Sequence, residues 1–135
     1  MTIPTLTIRQ PWAQLIICGA KDIENRDWPT RIRGKIAIHS SAKIDRREIE
    51  SACNQMERWI PKFSRHAFTN EALGYPAGMI LGTVEIVDCV RKSDSPWFIG
   101  EYGFMLSNPQ PLQTPIPAKG SLGFWPFPLK QLEVK

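Results

Sequence analysis

No run of about 18 apolar residues occurs in this sequence, which excludes a membrane-spanning helix of ordinary length. The opening Met1-Thr2-Ile3-Pro4-Thr5 lacks a basic region followed by an apolar stretch, so no export signal is read and a cytoplasmic protein is expected. Cysteine is scarce. Cys18, Cys53 and Cys89 are odd in number and far apart, with neither a C-x-x-C pair nor an adjacent histidine, which argues against a disulfide framework or a zinc site. Free, mostly buried thiols in a reducing compartment are expected. Histidine is rarer still, with only His39 and His66, distant in sequence, so no metal is expected, and no cofactor either. Repeats, linkers and low-complexity blocks are also missing.

What is present suits one domain. The chain has 135 residues, 42% of them hydrophobic, which suffices to close one core, and a single domain over 1–135 is expected. The formal charge of +4 decides little by itself, but its distribution is uneven. Between 31 and 47 the basic residues Arg31, Arg33, Lys35, Lys43, Arg46 and Arg47 face one acid, Asp45. That segment reads either as a set of phosphate contacts or as a solvated basic face.

Periodicity predicts an α+β arrangement. Leu6-Thr7-Ile8 alternates as a short strand and runs into a two-turn helix from Pro11 to Cys18, started by proline and stopped by Gly19, with Trp12, Leu15 and Ile16 inward. Gly34 to Ser40 alternates as a strand. Asp45 and Glu48 form a capping-box pattern for a helix to Ile60, whose face Ile49, Ala52, Cys53, Met56, Trp59 and Ile60 is apolar, and Pro61 ends it. A weaker helix or ordered loop is read over 62–73. Met79 to Val90 is a long β-branched strand, and Tyr102 to Leu106 is another, bounded by Asn108-Pro109. The tail with Pro111, Pro115, Pro117, Pro126 and Pro128 around Lys119 to Trp125 cannot be helical, and its aromatic residues predict that it folds back onto a barrel formed by the strands.

Between the first helix and the second strand, Ala20 to Trp28 is densely polar and fits no simple period. Lys21, next to a helix end, suits phosphate binding, oxyanion stabilisation or base catalysis, or is an exposed loop lysine. Glu24 and Arg26, two apart on extended chain, point to one side and either line a cleft or brace the loop as an ion pair. Trp28 either stacks on a base or packs inward, and Trp12 is read as core. Glu85, on an apolar strand between Thr83 and Val87, must be paired, protonated or open to a cleft, and is a candidate general acid or base. His39 and Ser40 suggest a polar mouth at a strand end. Tyr102 and Lys119 are further candidates for a hydroxyl or ring and for a late positive charge.

Gln10-Pro11-Trp12-Ala13, the Gly19-Ala20-Lys21-Asp22-Ile23-Glu24-Asn25-Arg26 segment with Trp28, and Arg33-Gly34-Lys35 before a strand together resemble the activating signal cointegrator homology (ASCH) domain. Gly82 to Glu85, Glu101 to Phe104 and the Lys119 to Trp125 ending extend the resemblance over nearly the whole chain, with a helical insertion at about 44–73. The resemblance implies a small PUA-like β-barrel with flanking helices and a cleft between barrel and first helix. It also implies RNA or single-stranded nucleic acid, or a modified nucleoside, as partner. Some family members are enzymes, namely ribonucleases and acetylcytidine amidohydrolases. The amidohydrolase branch carries threonine three residues after its lysine, where this chain has Glu24, the form of the cointegrator-like branch.

Three functions follow as alternatives. One is a binding module in which the basic segment from Arg31 to Arg47, with Arg31, Arg33 and Lys35 foremost, holds phosphates while Lys21, Glu24, Arg26 and Trp28 engage a base. Another is a metal-independent hydrolase with Lys21, Glu24 and Glu85 as catalytic residues. The last is a protein-interaction domain that meets its partner through the 45–60 helix.

Overall fold

The computed structural model describes residues 1–60 and 75–133. In chain order the elements are β1 (Thr2–Ile8), α1 (Trp12–Ile17), β2 (Ile23–Arg26), β3 (Gly34–Ser40), α2 (Arg46–Trp59), β4 (Met79–Val90), β5 (Tyr102–Pro117) and β6 (Phe124–Pro128). A 3-10 helix, Leu129–Glu133, follows β6. The helix or loop expected over 62–73 lies outside the described residues.

One mixed six-stranded sheet runs in the order β2-β5-β4-β3-β1-β6. All neighbours are antiparallel except β1 and β3, which pair in parallel from Thr5 opposite Ala37 to Ile8 opposite Ser40. The sheet is not closed into the barrel that was expected: among the described residues β2 and β6 form its two edges. Side chains instead of a backbone ladder bridge the curled ends. Trp28, just beyond β2, packs edge-on against Phe104 of β5 at 5.4 Å and Phe124 of β6 at 5.8 Å, and Arg26 of β2 donates from Nη2 to the Thr7 carbonyl of β1 at 2.9 Å.

Strand alternation sends residues to both faces of the sheet. Ile36 and Ile38 of β3 join Leu6, Ile8, Ile16, Val84, Ile86 and Phe104 in the main core under α1. Ala37 instead packs with Ile3, Ile80 and Phe127. A third cluster joins Leu15 of α1 to Ala52, Cys53 and Met56 of α2. The apolar face of α2 is therefore spent on α1, which removes most of it as a free docking face. Trp59, expected inward, is instead 69% exposed.

The tail folds back as expected, with β6 paired antiparallel to β1 from Thr2 opposite Pro128 to Leu6 opposite Phe124. The fifth strand differs from the sequence reading, continuing through Asn108-Pro109 to Pro117 instead of ending near Leu106. Three register irregularities against β4 and a positive φ of 51° at Asn108 absorb the turn signal. Beyond residue 106 the outer side of β5 lies past the four-residue β2, so its prolines lose no ladder partner there. The three cysteines are free, Cys53 buried, Cys89 partly so and Cys18 exposed, contrary to its expected burial. Among the described residues no helix is long and apolar enough to cross a membrane.

Candidate functional site

A cleft of about 460 Å³ opens between the first turn of the molecule, the C-terminal half of α2 and the loop before β5. Lys21, Glu24 and Arg26 form its floor; Trp12, Trp59 and Trp97 stand around it. α1 ends at Cys18 and Gly19, whose φ is 88°, so the chain turns at once and the Lys21 side chain enters the space beside Trp12, with Nζ 6.0 Å from the ring centre. Helix, glycine and lysine are thus one local device.

Lys21 is 5% exposed and Glu24 is 7% exposed, so neither is a surface ion. Lys21 donates to the Ile23 carbonyl and lies 3.7 Å from Glu24 Oε1. Burial pushes its ammonium below the ordinary lysine range, and Glu24 opposes that shift. Arg26 Nε donates to Glu24 Oε2 at 2.9 Å, as two residues on the same side of β2 allow. The carboxylate is therefore held between two cations. The floor carries two positive charges and one negative, a net of one positive charge that favours a neutral or anionic ligand.

The remaining polar residues of the same segment hold the opposite wall. Asn25 Nδ2 donates to the Trp97 carbonyl at 2.9 Å and Oδ1 accepts from the Ile99 N–H at 2.9 Å. Asp22 accepts from the Ser95 hydroxyl at 2.7 Å. Gly103 of β5 gives the loop room, since a Cβ there would stand 2.7 Å from the Phe98 ring. The dense polar run from Lys21 to Arg26 thus does two jobs: three residues face the ligand space, and two fix the loop that carries Trp97.

Other predicted residues lie elsewhere. Glu85 is half-exposed on β4, opposite Lys35 of β3, and accepts from Asn108 Nδ2 at 2.7 Å; it lines no part of the cleft, so Lys21 and Glu85 are not brought together. Solvent on the far half of that β4 face, where Val87 is 49% exposed, replaces the apolar surroundings that its neighbours suggested. Trp28 makes T-shaped contacts with Phe104 and Phe124, has the Arg26 guanidinium over its ring at 5.7 Å and lines no part of the cleft. His39 and Ser40 are buried away from the cleft: His39 between Thr7 and the Ala118 carbonyl, Ser40 bonded to the backbone of Met79. Tyr102 sits at the start of β5 under the Arg91 guanidinium, 5.3 Å away. Lys119 is exposed in the turn before β6.

The basic stretch is divided by β3, whose seven residues span roughly 20 Å. Arg31, Arg33 and Lys35 lie at its beginning, where Arg33 donates to the Thr30 and Ile32 carbonyls and approaches Asp88 at 3.5 Å. Lys43, Arg46 and Arg47 lie beyond its other end, lining with Arg9 a second hollow of about 450 Å³. Arg9 borders both hollows and makes a 2.7 Å ion pair with Glu48. That pair takes the Glu48 side chain away from the capping-box role expected of it, while Asp45 still caps α2 by accepting from the Arg47 and Glu48 N–H groups. Sequence reasoning missed Arg9, Gln55, Trp59 and Trp97 as cleft residues; Trp12 packs against the core as expected and also lines the cleft, and five tryptophans in so short a chain was the available signal. Among the described residues no group of three His, Cys, Asp or Glu could hold a metal ion.

Comparison with known proteins agrees on one relationship. The family model described as ASCH domain matches residues 6–105. Activating signal cointegrator 1 of Homo sapiens is 31% identical over 133 residues, and its Mus musculus counterpart 29%. Each match covers 89% of this chain and 21% of the relative, so the chain spans about a fifth of the length of these curated proteins.

Proposed function

The chain belongs to the ASCH domain family, and on that premise we propose that its cleft binds single-stranded nucleic acid, RNA foremost, with a base among the tryptophans and the phosphates toward Arg9. The observation that carries this reading is the convergence of Trp12, Trp59 and Trp97 with buried Lys21 and Glu24 and partly buried Arg26 in one open cleft. Aromatic faces stack on any base, and buried donors and acceptors read its edge; single-stranded bases offer both. The adjoining hollow supplies Lys43, Arg46 and Arg47 for the backbone, with Arg9 at the junction. Arg31, Arg33 and Lys35 belong to the far end of β3, and we leave them out of the contact surface.

A hydrolytic function built on Lys21 and Glu85 has no assembled pair behind it, because Glu85 bonds Asn108 outside the cleft. Binding without chemistry is the reading that the geometry supports best.

Titration of tryptophan fluorescence with a single-stranded RNA of mixed sequence tests it. The expected result is quenching with an affinity that weakens as salt rises. Trp59, being 69% exposed, can be replaced without loss of core. Trp59→Ala should weaken binding by about 5- to 150-fold, the worth of one stacked base at roughly 1 to 3 kcal/mol. A wild-type protein that binds no single strand at low salt overturns the proposal.

A further inference from the structure

Resting on that nucleic-acid reading, the polar atoms of the cleft floor narrow the kind of base it accepts. Arg26 spends Nε on Glu24 and Nη2 on the Thr7 carbonyl, both at 2.9 Å. Its Nη1 keeps two N–H groups with no partner among the described residues. Lys21 spends one N–H on the Ile23 carbonyl, and its 3.7 Å separation from Glu24 Oε1 is an ionic contact too long for a hydrogen bond. Among the described residues Lys21 therefore retains donor capacity, and Glu24 Oε1 retains acceptor capacity. Two cationic donors thus flank one acceptor in the same cleft.

The chemistry of base edges then discriminates. A carbonyl oxygen has two lone pairs and can satisfy two donors at once, whereas a ring imine nitrogen has one lone pair and satisfies one. An N–H beside that carbonyl supplies the proton that Glu24 Oε1 can accept. A phosphate would satisfy both cations but bring its charge against Glu24 with no proton to offer, so the backbone belongs outside the floor. We infer that the cleft selects the lactam edge, a carbonyl next to a ring N–H, as carried by uracil, thymine and guanine, over the amino-imine edge of cytosine and adenine. Cytosine has a carbonyl but sets an imine lone pair beside it against Glu24 Oε1, and adenine has no carbonyl for the two cations, so either wrong base leaves a polar group of the floor unpaired.

Uracil and cytosine give the sharpest comparison, because they differ in hydrogen-bonding pattern and little in size. Nine-residue oligouridine and oligocytidine would be titrated separately into the wild-type protein at one salt concentration, and free uridine and cytidine used to displace a bound strand. Oligouridine should bind about 10- to 100-fold more tightly, and uridine should displace at lower concentration than cytidine, whether or not the base is in a polymer. Arg26→Lys keeps a cation beside Glu24 but removes the spare Nη1 donors, and Glu24→Gln removes the carboxylate. Each variant, with its fold checked by melting, should bring the ratio of the two affinities toward one. Equal or reversed affinities in the wild type overturn the inference while leaving strand binding intact. Absence of binding by both strands overturns the inference together with the reading beneath it.

Discussion

Thr7 connects the cleft to the opposite side of the sheet. Its carbonyl accepts from Arg26, while its hydroxyl accepts from Trp125 Nε1–H at 3.0 Å and donates to His39 Nδ1 at 3.0 Å. The Ala118 carbonyl can only accept, so His39 Nε2 carries the proton of their 2.7 Å bond. Burial holds His39 below the usual histidine range. The sign of the pH effect follows: the unfolded chain takes up the proton first, at about 6.5. The contribution of neutral His39 to stability is complete above about pH 6.5 and is lost as the pH falls through the lower folded value. Thermal melts between pH 8 and pH 5 should show this decline, and His39→Asn should flatten it while lowering stability at pH 8 by about 1 to 3 kcal/mol through unpaired buried groups. Residue-level reading of the sequence identified the Lys21, Glu24 and Arg26 group, because spacing on extended chain sets which side chains share a side. It failed for Glu85 and His39 because their partners, Asn108 in β5 and Ala118 just beyond it, are distant in sequence.

Among the elements, α2 was the most legible, since a cap, a 3.6-residue period and a proline stop all agree. Its structure runs from Arg46 to Trp59 with Asp45 as N-cap. Asp45→Ala should cost about 1 kcal/mol, seen as a lower melting temperature. Because α2 carries Gln55, Met56 and Trp59 into the cleft, the same change should also weaken strand binding, measurable by the fluorescence titration. β5 was legible only to Leu106. Local turn chemistry at Asn108-Pro109 was overridden by pairing with β4, which irregular register makes compatible with four prolines in one strand. β2 escaped detection because four residues on a sheet edge, all but one polar, have too little apolar alternation to register as a strand.

At the scale of the molecule, the α+β class was legible and the closure of the sheet was not. Closure depends on whether distant edges meet, and no local pattern encodes that. The division of the basic residues by β3 was equally invisible, since a charge run in sequence says nothing of which end of a strand each residue occupies. It carries a prediction. If Arg9, Lys43, Arg46 and Arg47 meet the phosphates, log affinity should fall against log salt with a slope of about −2 to −3 for three or four contacts to a single strand. Replacing Arg46 and Arg47 together by glutamine should shallow that slope by about 1.4, whereas replacing Arg31 and Arg33 should leave it unchanged. Salt titrations of the three proteins measure the difference.

The pairing of Thr2 with Pro128 brings the beginning of the first strand to within one strand spacing, about 5 Å, of the end of the last. Entry and exit therefore share a doorway. A unit built this way can be spliced into a surface turn of a larger polypeptide, or strung on a tether, without its host having to stretch across it. Such portability accords with the alignment of this chain to only 21% of each longer relative.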